Sequence, residues 1–99
     1  MAFLRLAFFP GGTARQWEAV VAAVGDVPVP SSRRAFASGP CDGGWQVVQV
    51  WDTRTDLDQF NRDVYLPTTA DLGNRGFRRP PVVRDVETVD AWVEGRRLD

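Results

Sequence analysis

The 99-residue sequence contains no histidine, and all 12 of its basic residues are arginine. Without lysine there is no amine for a Schiff base and no P-loop ligand for phosphate. Without histidine there is no Ser-His-Asp or Cys-His apparatus, no imidazole metal site and no proximal haem ligand. The single cysteine, Cys41, cannot form an internal disulfide, which points to a reducing, cytoplasmic setting. No run approaches 18 consecutive apolar residues, and no cleavage-site pattern follows the apolar start, so neither a membrane span nor a signal peptide is expected. The arginines nearly balance 13 acids, for a net charge of -1, which argues against an electrostatic nucleic-acid or membrane binder.

What is present reads as one small α+β domain over 1–99, with a core at 2–89 and a tail at 90–99. An apolar run from Ala2 to Phe9 is halted by Pro10-Gly11-Gly12. Thr13 and Gln16 form a capping-box pattern ahead of a helix with Trp17, Val20, Val21 and Val24 on one stripe. Gly25-Asp26 ends it, and Pro28 to Ser32 is linker. Arg33 to Ser38 is a short strand, Gly39 to Gly44 a turn, and Trp45 to Asp52 the strongest strand signal. Thr55 or Asp56 caps a second helix carrying Leu57, Phe60 and Val64, which Pro67 should kink or end near Leu66. Thr68 to Leu72 continues as a short piece, Gly73 to Pro81 is loop, and Val82 to Val89 is a last strand. Trp92 would anchor the tail. The order β-α-β-β-α-β is the split βαβ arrangement of a ferredoxin-like, four-stranded antiparallel sheet with two helices on one face.

Strand alternation sorts the side chains. In the first strand Leu4, Leu6 and Phe8 share one side and Phe3, Arg5, Ala7 and Phe9 the other. In the third, Val48 and Val50 share one side and Trp45, Val47, Gln49 and Trp51 the other, and the aliphatic sets of the two strands are assumed to lie in phase. Assigning the aliphatic set to the helices leaves an aromatic face open. Large aromatics left in water forgo about 1.5–3 kcal/mol each, so a homodimer through facing sheets is expected, the alternative being a monomer whose tail or bent loops cover the patch.

Chemistry must then come from the remaining polar residues. Tyr65, the one phenol, follows Asn61 at the i, i+4 spacing, so both fall on one side of the second helix. Together they would orient a phenol, a ketone or an enolate oxygen; the bland alternative is a tyrosine packed against Pro67 beside an exposed asparagine. Trp51 at the strand end is a pocket wall or simple core. Asp52 is a base only if desolvated, and otherwise a helix-entry carboxylate. Arg5 within an apolar strand requires a carboxylate, a ligand anion or solvent, and a cross-subunit ion pair is the leading expectation. Arg75, Arg78, Arg79 and Arg84 attract an anionic substrate at a pocket mouth or form a solvated loop whose charges Asp71 and Asp85 partly offset. Gly11-Gly12 lacks the pattern of a dinucleotide loop, and Cys41 has no basic neighbour to activate it.

The stretches "GGTARQWEAVVAAVG", "GGWQVVQVWDTRTDLDQF" and "YLPTTADLG" resemble the dimeric α/β-barrel superfamily, in particular small proteins related to antibiotic-biosynthesis monooxygenases. The likeness spans about Ala2 to Val89. It implies a homodimer with a barrel at the interface and a pocket between sheet and helices in each subunit. Some relatives oxidise anthrone-like polyketides with dioxygen and neither metal nor flavin, using tryptophan, asparagine and tyrosine; histidine-dependent branches are disfavoured. On that basis Tyr65, Asn61 and Trp51 are the candidate catalytic residues, and Arg5, Gln49, Phe60 and Trp17 candidate substrate contacts. The expected function is a cofactor-independent monooxygenase-like enzyme or cyclase acting on a hydrophobic aromatic small molecule. The alternative is a non-catalytic binding or structural homodimer of the same fold.

Overall fold

The computed structural model describes residues 2–98. Strand β1 (Phe3–Pro10) leads to helix α1 (Ala14–Val24), then β2 (Arg33–Cys41) and β3 (Gly44–Trp51). A helical arm follows, made of α2 (Arg54–Phe60), a π-helical turn (Asn61–Tyr65), α3 (Leu66–Thr69) and a 3-10 turn (Ala70–Arg75). Strand β4 (Val82–Glu87) completes the sheet, and β5 (Trp92–Val93) and β6 (Arg96–Arg97) make a small terminal hairpin. The sheet is antiparallel throughout, in the order β2-β3-β1-β4. Chain order and sheet order together give the split βαβ topology.

Local chemistry accounts for the element ends. The capping box at α1 is complete: Gln16 donates its backbone N–H to Thr13 Oγ1, and Thr13 donates its own to Gln16 Oε1. Gly25, at φ +64°, closes the helix with its N–H on the Val21 carbonyl. The cap of α2 is Thr53 rather than Thr55 or Asp56, its hydroxyl accepting the Asp56 N–H. Thr53, Thr55 and Asp56 lie within four residues and each has a side chain able to cap, and the helix begins directly after the first of them. The β2–β3 turn is also tighter than expected, because pairing continues through Cys41 opposite Gly44. Strand β4 stops at Glu87, where Thr88 turns back to donate both N–H and hydroxyl to the Ala2 carbonyl.

Pro67 does not break the second helical arm. The backbone stays helical through it, preceded by a wide turn in which the Leu66 N–H reaches the Asn61 carbonyl. Pro67 then falls at the second residue of α3, and Arg62 and Asp63, whose carbonyls its missing N–H would otherwise meet, are exposed to water. Trp92 is no anchor: it is 60% exposed, with its indole N–H held by Asp90.

The side of the sheet that meets the helices is the reverse of the expected one. Ala7, Phe9, Trp45 and Val47 pack with Trp17 of α1, and Phe3 and Trp51 pack with Leu57 and Phe60 of α2. The aromatic set is therefore beneath the helices, and Leu4, Leu6, Phe8, Val48 and Val50 face the open side. Val82 and Val86 of β4 join them, 54% and 45% exposed. The physical reason is size. Aromatic rings offer the largest areas for burial, so the single covered face takes them and the smaller aliphatics are left outside.

Candidate functional site

Between this sheet face and the helices lies a cavity of about 340 Å³, within the usual range for small-molecule sites. The strands contribute Arg5, Ala7, Phe9, Val47 and Gln49 to its wall, α1 contributes Trp17, Val20 and Val24, and the helical arm contributes Phe60, Asn61 and Tyr65. Six of the seven residues singled out from the sequence thus share one cavity.

Trp51 is the seventh and does not join them. It is fully buried beneath α2 against Phe3, Leu57 and Phe60, which leaves no ring face to stack on a ligand. Its connection to the cavity is indirect: the indole N–H donates to Gln49 Oε1 at 2.9 Å, fixing the orientation of a lining carboxamide. Asp52 is likewise elsewhere, paired with Arg34 at 2.7 Å.

The π-helical turn places Asn61 at its first position and Tyr65 at its last, and both side chains border the cavity. Burial pushes the Tyr65 phenol above its ordinary pKa. At neutral pH it is therefore a hydrogen-bond donor and not a base. Thr68 and Thr69 donate their hydroxyls to carbonyls at Val64 and Tyr65, supplying donors where the wide turn disturbs the regular ladder.

Arg5 enters the cavity wall already partnered. Its Nε and Nη2 donate to the two oxygens of Asp85 at 2.8 and 3.0 Å, and Nη2 lies 3.5 Å from Asp58. Arg54 bridges Asp58 and Asp85 from the helix side. The expected cross-subunit partner is thus found within the chain, one strand away. The Asp85 hydrogen bonds raise the Arg5 pKa further, and the same bonds hold the Asp85 carboxyl below the ordinary range.

The sequence did not single out Arg33, Phe36 or Val83, which also border the cavity. Arg33 lies over the Phe36 ring at 4.4 Å, and burial lowers its pKa. A register shift between Arg33 and Ala35 puts both Arg33 and Phe36 on the helix side, which plain alternation would not do. Among the described residues no carboxylate lines the cavity, and no cluster of three or more His, Cys, Asp or Glu side chains is placed to hold a metal ion. No helix among them is long and apolar enough to cross a membrane.

The solved structure of Rv0793 from Mycobacterium tuberculosis is similar to this chain, with a TM-score of 0.64 and 20% identity over 92% of this chain and 98% of that one. The chain matches no family model and no curated protein. At that identity the likeness concerns the fold alone: a small α+β unit with a four-stranded antiparallel sheet and helices packed on one face.

Proposed function

We propose that this protein is a cofactor-independent enzyme acting on a hydrophobic, aromatic small molecule, by oxygenation of an enolisable carbon or by a related cyclisation. The observation that carries the reading is that a protonated phenol, Tyr65, and a carboxamide, Asn61, border the same mostly apolar cavity. Two neutral donors in a partly dry site favour an oxyanion over the neutral ketone, and so lower the acidity barrier of the adjacent carbon. The proton leaves to water at the cavity mouth. Trp17, Phe9 and Phe60 supply the apolar surface that holds the rings.

In the oxygenation, the bound enolate is the reductant and dioxygen the oxidant. Carbon–oxygen bond formation gives a hydroperoxide, and loss of water leaves a ketone, so that a CH2 group and O2 yield C=O and H2O. The protein's part is to bind, to orient and to stabilise the anion. The resemblance to monooxygenase-like dimeric barrels supports the same assignment. It also supports a homodimer, now through the aliphatic face bearing Leu4, Leu6, Val48, Val50 and Val86, which no helix among the described residues covers.

Non-catalytic binding by the same homodimer is the second reading, favoured by the lack of a carboxylate base among the described lining residues. Oxygen uptake with an anthrone-like substrate separates the two. Enzymatic uptake that persists in chelator without added flavin, and falls roughly 10²-fold in Tyr65→Phe, supports catalysis. Substrate binding without turnover supports the binding protein, and turnover abolished by chelator defeats the cofactor-independent mechanism.

A further inference from the structure

The loop Arg75-Gly76-Phe77-Arg78-Arg79 is held by its middle. Phe77 turns inward and stacks on Phe9 at 4.1 Å, and Gly76 is buried against Leu72. Arg75, Arg78 and Arg79 are left exposed on the rim of an open cleft of about 890 Å³. Across the cleft stands the first turn of α1, which contributes Arg15 and carries no acidic residue. Four arginines therefore border one concavity, and no Asp or Glu borders it among the described residues. Nor does any of the four have a carboxylate within ion-pair distance there; Asp85, an obvious candidate, is occupied by Arg5 and Arg54. In a chain of net charge -1, four arginines on a cleft that no described carboxylate borders are a local excess of one sign.

A third depression, of about 260 Å³, is lined in part by residues of both the cleft and the aromatic cavity. It shares Arg78 and Arg79 with the cleft, and Phe9, Val20, Tyr65 and Pro81 with the cavity. These shared residues mark the course that an elongated molecule would follow from Tyr65 to the arginines. We infer that the arginine cleft is the subsite for the anionic group of the cavity's ligand, so that the molecule taken is an amphipathic anion: a ring-bearing apolar body carrying a carboxylate, sulfonate or phosphate. The inference rests on the reading of the cavity as a hydrophobic ligand site and adds the charge its ligand must carry. Guanidinium forks suit such oxyanions because they donate two parallel hydrogen bonds to them.

Two dyes that share their rings test it: neutral N-phenylnaphthylamine and its sulfonated analogue, anilinonaphthalenesulfonate. At low salt the sulfonate should bind the wild-type protein roughly tenfold more tightly than the neutral dye. The double variant Arg78→Ala/Arg79→Ala should lose that advantage and keep its affinity for the neutral dye, and pyrophosphate should displace the sulfonate alone. Equal affinities in the wild type, or equal weakening of both dyes in the variant, overturn the inference and leave the cavity reading intact. Failure of the neutral dye to bind overturns the cavity reading, and with it the joined site. A rise in thermal midpoint with pyrophosphate, present in the wild type and absent in the variant, then shows the cleft to hold anions alone.

Discussion

Arg5 and Asp85 face each other directly across β1 and β4, joined by two parallel hydrogen bonds of 2.8 and 3.0 Å between residues 80 positions apart in the chain. The pair ties the edge strand to the sheet centre at the cavity wall. Because Arg5 depresses the Asp85 pKa below its unfolded value, the stabilisation is complete above the ordinary carboxylate range. It is lost as pH falls through the folded-state value. Asp85→Asn should therefore cost about 1 kcal/mol at pH 7, discounted for partial solvent exposure, and almost nothing in strong acid. Urea midpoints of both proteins at the two pH values check this; an equal gap at both would show that the pair's charge contributes nothing.

The Tyr65 phenol can be followed without interference, since the chain has one tyrosine. Burial raises its pKa, so the phenolate absorbance near 295 nm should rise at higher pH in the folded protein than in urea. The linkage runs opposite to that of Asp85. The unfolded chain loses this proton first, so stability should decline as pH climbs past the unfolded pKa. Coincident folded and unfolded titrations would place the hydroxyl in water.

Leu57 is completely buried between α2 and the Phe3–Trp51 pair. Leu57→Ala should cost about 2–5 kcal/mol, seen as a thermal midpoint lowered by roughly 10 °C or more. A loss below 1 kcal/mol would mean that α2 is not seated as described.

Gly44 faces the Phe9 carbonyl so closely that a Cβ there would overlap it, with the Gly11 amide also in contact. Backbone cannot move aside as a flexible side chain can. Gly44→Ala should destabilise by about 2 kcal/mol or more, measured by chemical unfolding. Gly39, whose Cβ would meet nothing, is the control and should tolerate alanine far better.

Val86 is nearly half exposed on the aliphatic side of the sheet. For a lone subunit, Val86→Glu should be close to neutral, within about 0.5 kcal/mol. If two sheets meet there, the same substitution should convert a sedimenting dimer to a monomer at micromolar concentration. An unchanged dimer would place the interface elsewhere.

Features with a local cause were legible in the sequence. The capping box of α1 involves residues three apart, and the alternation in β3 declares itself over eight residues. Alternation tells which side chains share a face, however, and not which face the helices cover. Both sets are apolar here, so ring size decided the matter, and the expected assignment was inverted. The position of Trp51 followed from that inversion: a strand-end tryptophan reads as a pocket wall until α2 is seated above it. The grouping of Asn61 with Tyr65 was readable from their spacing on one helix. The Asp85 partner of Arg5 was not, because register between distant strands leaves no local trace. The reach of Arg33 and Phe36 into the cavity depends on a bulge that no turn residue announces.

The wide turn at Asn61–Tyr65 works as a gear offset along the helical arm. Successive residues of a regular helix step about 100° around its axis and less in the wide turn, so winding the same sequence as a regular helix there would swing everything downstream by most of one such step. Leu57 and Phe60 would keep their seats, while Tyr65 would rotate off its present bearing. One irregular turn thus lets the first half of the arm answer to the packing of the sheet and the second half to whatever the cavity admits.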